Sequence, residues 1–565
     1  MWMEDYQAMR DRDRLAQQQQ HYNSPGPLNE VFNDSNNFYG GNGNDVASSG
    51  ASTSSHSVQT FKNCIQLGAC SIGETLPFHC PDLPADLFTC CLITPIQTSL
   101  LCHMLKLGVK SRFPQNIIDD IPGVLTDRRT LLGELNWIFT AVTDTIAWSC
   151  LNMDTFQKLF RQDLLIASLF RSFLLAQRIM LENGCHVVSN PELPSVHAHP
   201  LWEYWDYVLD LCIANMYNLL QPKANIVHFT RTDCYVGTPS LRHNCTYFML
   251  IELSLNALTE SEYAYSWFFI EQLQAFEVWL KFSVDKQEPP QQLPVVLQVL
   301  LSQIHRVRAL ELLARFVDLG PWAVVSALTV GIFPYVLKLL QCGTRELRPA
   351  LTFIWAKILA IDPICQHDLV KDNGYHYFLQ VLNDQTMSPR MKIVSAFAIF
   401  LIPAQEKLVQ SDYVSLCIEL LSNQQVIQCR MLCLWLLIGL GRLWSECDKA
   451  RWQAIRNVAY DKAIDFLSDE VPEVRAAAVY ALGCFVHNTS RNNEHATAVE
   501  NEVCDKLCEK CIYDGSIIVR AELASAIQWF VIDFQSRFAA ICIELDRKNE
   551  NLLLENSENE ITTIN

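Results

Sequence analysis

Apolar residues recur at three- and four-residue intervals through most of the chain, the spacing of one face of an α-helix. From Val295 to about Leu545 such stretches alternate with short turns containing Gly, Pro or Asn, among them Gly320-Pro321-Trp322 and Asp372-Asn373-Gly374. Upstream, Phe156, Leu159, Phe160, Leu164, Ala167, Phe170 and Leu174 keep helical spacing behind Asp154 as a candidate N-cap, and Asn183-Gly184 supplies a stop. That pattern predicts one long, partly buried helix. Cys64 to Cys70 has the length of a short buried strand, and Asp82 to Phe88 reads as a turn followed by a helix start. Residues 1–57, rich in Gln, Asn, Gly and Ser, have too little to bury to offset the entropy of ordering and are expected to be disordered. Residues 222–263 show neither period and read as an insertion, while the acidic, Asn-rich last 20 residues are expected to form a frayed tail.

Six arginines punctuate the helical half: Arg308, Arg348, Arg390, Arg430, Arg475 and Arg520, at intervals of 40, 42, 40, 45 and 45 residues. The segments Asp469 to Ala478 and Asp514 to Leu523 repeat Asp, Val and Arg in register. This period is that of armadillo and HEAT units, whose helices bury their apolar faces only by stacking on neighbouring units. Each arginine is expected to bond a carboxylate or carbonyl of the turn before its own helix, such as Asp469 or Asp514 six residues earlier, and Arg430, lacking the Val-Arg signature, is the weakest member.

Composition narrows the function. A formal charge of −18 without a basic patch argues against nucleic-acid binding. The 22 cysteines are scattered over predicted helices rather than spaced as a disulfide framework, which suits buried thiols in a reducing compartment. The charged, Gln-rich beginning lacks the apolar core of a secretory peptide, and no apolar run of about 18 residues stands out, so neither export nor membrane insertion is expected. The run Met431 to Leu440 reads as a buried repeat helix. Half the residues are apolar, and a stacked helical surface with an acidic balance points to protein partners.

Candidate chemistry is sparse. Cys504, Cys508 and Cys511 have a spacing that iron–sulfur ligands can use, with His495 nearby, but they fall on the apolar stripe of an amphipathic helix and read as core. Cys90 and Cys91, with His79 and His103 in the same region, lack a Gly-rich elbow and a charged helper for a cysteine nucleophile. No phosphate-binding glycine loop is present. No cofactor, metal or catalytic residue is expected. Two motifs suit binding: Tyr335 and Leu339, one turn apart, as core or as the lining of an apolar groove, and Arg128-Arg129, as a solvated loop or a fork for a carboxylate.

Several strings resemble the Raptor family, the scaffold subunits of TOR kinase complexes: Asn63 to Leu67, Pro81 to Thr89 (PDLPADLFT), Asp127 to Thr130, Leu132 to Thr140 (LGELNWIFT), Phe156 to Leu165 (FQKLFRQDLL), Gly331 to Gln341 (GIFPYVLKLLQ) and Leu369 to Gly374 (LVKDNG). The resemblance runs from about Lys62 to Leu545, interrupted by the insertion. It implies a mainly α protein: an armadillo/HEAT-type solenoid at 191–545 preceded by the end of an α/β caspase-like domain at 58–190, with residues 546–565 as a disordered tail and without the family's front half of that domain and its C-terminal β-propeller. It implies a non-catalytic scaffold, cytoplasmic and recruited to the lysosomal surface, whose partners are the TOR kinase, substrates carrying a TOR-signalling motif, and Rag-type small GTPases. The family docks the motif between the caspase-like domain and the solenoid; Arg128 or Arg129 would meet its acidic residue, with Leu132 beside them, and Tyr335, Val336 and Leu339 would surround its aromatic anchor. Asp412 and Glu494 align with GTPase-contact positions, Asp412 replacing an Asn, and Leu131 stands where the family has Pro. The alternatives are a HEAT-repeat adaptor or transport protein unrelated to TOR, or a cysteine peptidase-like enzyme.

Overall fold

The computed structural model describes residues 65–77, 80–114, 117–119, 121–220, 267–282, 287–341, 344–486, 494–533 and 535–562. The segment 1–57 and the insertion at 222–263 lie outside the described residues. By packing, the chain divides into two compact units, one of Met1–Ala275, Pro290–Gln298 and Thr329–Gly331, the other of Phe276–Pro289, Val299–Leu328 and Ile332–Asn565.

In the first unit, strand β1 (Gln66–Gly68) pairs antiparallel with β2 (Val188–Asn190), Gln66 opposite Asn190. Helices α1 (Leu87–Ile93), α2 (Pro95–Lys106), α3 (Leu131–Cys150), α4 (Met153–Phe160), α5 (Leu164–Glu182) and α6 (Leu201–Leu220) supply the rest, with the first half of α7 (Phe268–Phe282) and most of α8 (Leu293–Val299). The strand expected over Cys64 to Cys70 is present as three residues, exposed to half-buried rather than buried, and the helix start expected near residue 87 is present, α1 being capped by Asp86, which accepts from the Thr89 amide at 3.0 Å. The long helix expected from residue 154 to 183 is two helices. Asn152, rather than Asp154, caps the start of α4, accepting from the Thr155 amide at 2.8 Å, and after Phe160 Asp163 restarts the chain by accepting from the Ile166 amide at 2.9 Å, so one side-chain cap at the break competes successfully with a continuous helical ladder. Gly184, at φ +74°, makes the expected stop. Helix α5 is long and apolar enough to cross a membrane, but 56% of that stretch is buried, as in a core helix.

A buried ion cluster ties this unit together. Asp144 of α3, with no exposure, meets Arg171 of α5 at 2.7 Å and Arg161, in the break between α4 and α5, at 3.0 Å. Arg161 also donates to the carbonyl of Val330 and lies over the Phe156 ring. Burial pushes the Asp144 carboxyl up, and the two guanidiniums more than reverse this, leaving it below the ordinary range.

The second unit stacks α9 (Arg306–Val317), α10 (Pro321–Val330), α11 (Phe333–Leu340), α12 (Arg348–Ile361), α13 (Pro363–Lys371), α14 (Tyr375–Asn383), α15 (Pro389–Leu401), α16 (Gln405–Gln410), α17 (Tyr413–Ser422), α18 (Gln424–Ile427), α19 (Arg430–Glu446), α20 (Asp448–Arg456), α21 (Ala459–Asp465), α22 (Pro472–Val486), α23 (Glu494–Cys511), α24 (Ile517–Asp533) and α25 (Gln535–Thr562). This is an armadillo/HEAT-type α-solenoid in which α12, α15, α19, α22 and α24 pack each against the next. Residues 546–562, expected as a frayed tail, continue α25. Glycines set the closest joints: a Cβ on Gly441 would lie 2.9 Å from the Ala481 Cα, and one on Gly483 would lie 2.6 Å from the Ala526 Cβ.

The arginine ladder runs forward between repeats. Arg348 pairs with Asp384 at 3.0 Å, Arg430 with Asp469 at 2.6 Å, and Arg475 with both oxygens of Asp514 at 2.7 and 2.8 Å. Each aspartate also shapes its own turn, accepting from the amide two residues on: Thr386, Val471 and Ser516. The expected bond to the turn six residues earlier exists through the carbonyl, as Arg475 donates to Asp469 O at 2.8 Å, while the carboxylate comes from the following repeat. Arg430, taken as the weakest member, makes a full rung. Arg390 leaves a gap within the ladder: it is exposed and makes no ion pair among the described residues. The turn before Arg430 is built on Asn423, which accepts from the Gln425 amide at 2.9 Å but offers no carboxylate. Arg308 turns instead to Glu277 of α7, at 3.1 Å.

Candidate functional site

Arg128 and Arg129 sit on a tight turn wedged against the start of α3. Thr130 donates its hydroxyl to the Asp127 carbonyl at 2.8 Å and caps the helix by accepting from the Gly133 amide at 3.3 Å. Only glycine fits at 133, since a Cβ there would fall 1.9 Å from the Asp127 carbonyl oxygen. Arg129, 81% exposed, points its Nε to Asp127 Oδ1 at 3.2 Å, and its amide donates to the same oxygen at 3.1 Å. These two bonds hold the Asp127 carboxyl below its ordinary value. The Arg128 guanidinium lies 4.8 Å from the ring centre of Trp137, which stacks in turn on Phe269 at 3.8 Å. Leu132 is half-buried, its amide bonded to the Pro122 carbonyl at 3.2 Å. Leu131 is the first residue of α3, the position at which a proline would also fit without losing a helical hydrogen bond.

Tyr335, Val336 and Leu339 lie on α11 of the second unit and are 5%, 0% and 6% exposed. The Val336 carbonyl accepts from the Trp355 indole at 3.4 Å, and Phe333 meets the same indole edge-on. These three side chains are therefore part of the core. Asp412 is exposed at the start of α17 in the left-handed region, at φ 53°, and Glu494 is exposed as the first residue of α23.

Among the described residues, none of Cys90, Cys91 and Ser149 is set up as a nucleophile. Cys90 and Cys91 lie within α1 at 2% and 0% exposure, and burial pushes the Cys91 thiol far above the range in which it would ionise. Ser149 lies 3.0 Å from His199 Nε2, but His199 Nδ1 accepts from the Leu201 amide at 3.2 Å. The neutral imidazole therefore carries its proton on Nε2 and donates to Ser149, so it has no lone pair there to act as a base. Cys504 and Cys511 fill the core of α23, with 6% and 0% exposure, and among the described residues no group of three or more His, Cys, Asp or Glu could hold a metal ion. The Asp144 cluster had escaped the sequence reading, although its signal, a lone aspartate inside the apolar run 137–148, was present.

The comparisons with known proteins decide the family. The chain is 41% identical over 511 residues to the target of rapamycin complex 1 subunit mip1 of Schizosaccharomyces pombe, covering 87% of this chain and 36% of that protein. It belongs to the Raptor family. It is also 43% identical over 505 residues to the regulatory-associated protein of TOR 1 of Arabidopsis thaliana, covering 86% of this chain and 34% of that one. Among solved structures it resembles the crystal structure of Chaetomium thermophilum Raptor, with TM-score 0.73 and 40% identity over 86% of this chain and 42% of that one. No family model matches the sequence. The chain spans about a third of the length of these curated Raptor relatives.

Proposed function

We propose that this chain is a non-catalytic scaffold subunit of a TOR kinase complex, cytoplasmic and recruited to the lysosomal surface, that docks TOR-signalling-motif substrates, the kinase and Rag-type GTPases. The observation that carries the scaffold reading is the identity of above 40% to TOR complex subunits along nearly the whole chain. The buried thiols and the Ser149–His199 pair with the wrong tautomer support the non-catalytic part. For the substrate motif, the exposed Arg129 and the Arg128 guanidinium held over Trp137 suit an acidic residue. Tyr335, Val336 and Leu339 are core residues, so an aromatic anchor reaching them requires α11 to shift on binding. Asp412 and Glu494 are exposed, as a GTPase contact requires.

The test is titration of a fluorescent peptide carrying the Phe-containing motif into the purified chain. Arg128→Ala/Arg129→Ala weakens binding about tenfold or more if the fork meets the acidic residue, and hydrogen exchange in α11 changes on peptide addition if the anchor enters there. Unchanged affinity in the double variant removes the arginine fork from the reading. Co-purification from its own cells without the TOR kinase, but with other cargo, replaces it by an unrelated adaptor.

A further inference from the structure

Two Ser/Thr-Pro pairs lie among the described residues, and the fold treats them oppositely. Thr94, before Pro95, is half-buried, its hydroxyl 3.2 Å from the Cys90 carbonyl and 3.3 Å from the Thr98 hydroxyl. Ser388, before Pro389, is exposed and holds extended backbone at φ −64° and ψ 150°. It occupies the N-cap of α15, yet its hydroxyl makes no capping bond and has no other partner among the described residues. The chain that follows is also lightly held. Pro389 brings no amide to the first turn, which is tied back to Ser388 by two bonds to its carbonyl, from the Met391 and Lys392 amides at 3.0 and 3.2 Å.

The charges around this turn are unbalanced in favour of an anion. Between residues 384 and 392 the one carboxylate is Asp384, and both of its oxygens are engaged, one with Arg348 and the other with the Thr386 amide and hydroxyl. Arg345 and Lys392 act on the same carboxylate from farther away. Lys392 is 9% exposed, and burial lowers its ammonium from the ordinary lysine value against the pull of Asp384. It makes no hydrogen bond or ion pair among the described residues, and it stands four residues after Ser388, on the same side of the helix. Arg390, the gap in the ladder, adds another cation without an ion pair.

We infer that Ser388 is the acceptor of a proline-directed protein kinase, and that its phosphate caps α15 and pairs with Lys392 and Arg390. In the transfer a bond forms from Ser388 Oγ to the γ-phosphorus of ATP, and the bond from that phosphorus to the β,γ-bridging oxygen breaks. ADP leaves and the hydroxyl proton passes to the kinase's base. A kinase that selects proline after the acceptor suits this site, since Pro389 keeps Ser388 extended and has no amide to leave unpaired. Once attached, the phosphate supplies the acceptor oxygens that Asp384 has already committed, at a helix N-terminus where amides and dipole favour negative charge. Helix α15 packs on α12 and α14, so fixing its start tightens this joint of the solenoid.

The experiment treats the full chain with ATP and a proline-directed kinase of the MAP-kinase class, locates phosphate by tandem mass spectrometry, and follows hydrogen exchange in the product. The expected result is phosphate at Ser388 and not at Thr94, with none at this turn in Ser388→Ala, and exchange in the first turns of α15 slowed several-fold by the phosphate. Lys392→Met keeps the buried stem and removes the charge; it still accepts phosphate, but the slowing is smaller. A chain left unmodified at Ser388 overturns the proposal, and the free peptide 384–392 under the same kinase then tells whether the fold or the sequence withholds the hydroxyl. Exchange that the phosphate leaves unchanged, or slows equally in Lys392→Met, overturns the pairing.

Discussion

Arg475 holds both carboxylate oxygens of Asp514, at 2.7 and 2.8 Å, across 39 residues of sequence. Asp514 is not a surface partner: its side chain is 8% exposed and it also fixes the turn into α24 through the Ser516 amide. One side chain therefore sets the turn of its own repeat and the seating of the repeat before it, which is how a stack of weakly self-sufficient helix pairs acquires a fixed pitch.

Replacing Arg475 by Ala is expected to cost about 2–3 kcal/mol, because it strands a largely buried carboxylate; Lys keeps the charge but loses the two-pronged geometry and recovers only part. The measurement is the urea midpoint together with hydrogen exchange, in which α22 and α24 lose protection before the rest of the second unit. Uniform loss across both units would contradict the local role.

Arg390→Ala is expected to change stability by no more than about 0.5 kcal/mol, since Arg390 is exposed and the turn where its rung would form carries Asn423. Asn423→Asp is expected to stabilise the chain in the presence of Arg390 and to have no such effect in Arg390→Ala. A double-mutant cycle without coupling would show that the geometry, and not the missing charge, breaks the ladder there.

The Asp144 cluster gives an acid limb with a defined sign. Its carboxyl lies below the ordinary range in the folded protein and near 3.9 in the unfolded chain, so the unfolded state takes up the proton first. The stabilisation is complete above pH of about 4 and is lost as pH falls through the lower native value. Asp144→Asn is expected to cost about 3–5 kcal/mol at neutral pH by leaving Arg161 and Arg171 unpaired, and to flatten the acid limb of stability. An unchanged acid limb in this variant would assign the pH dependence to other carboxylates.

Gly483→Ala is expected to cost about 1–3 kcal/mol, because the added methyl meets the Ala526 Cβ at 2.6 Å and the two helices must part. Gly515→Ala, in the turn before α24, where an added Cβ meets nothing within 4 Å, is the uncrowded comparison and should be close to neutral. A gain of stability in the thermal melt of Gly483→Ala would show that helix propensity, rather than spacing, governs that position.

The solenoid was written into the sequence, because each helix announces its buried face through local spacing and each repeat restates Asp, Val and Arg at a nearly constant interval. Cys504 and Cys511 of α23 were legible as core for the same reason, while Cys508 on the same stripe is only half-buried. What the sequence left open depends on distances between residues far apart in the chain. It placed the ladder carboxylates behind their arginines, whereas stacking brings the next repeat's turn within 3 Å; it ranked Arg430 last, whereas Asp469 completes that rung. It joined α4 to α5, since apolar spacing runs through a break that only the Asp163 cap and the Arg161 cluster enforce. Tyr335, Val336 and Leu339 show the limit most plainly: one turn of apolar residues reads equally as groove or core, and only the packing of Trp355 and its neighbours determines that they are covered. Sequence spacing fixes which side of a helix is apolar, but what lies against that side is a property of the assembled fold.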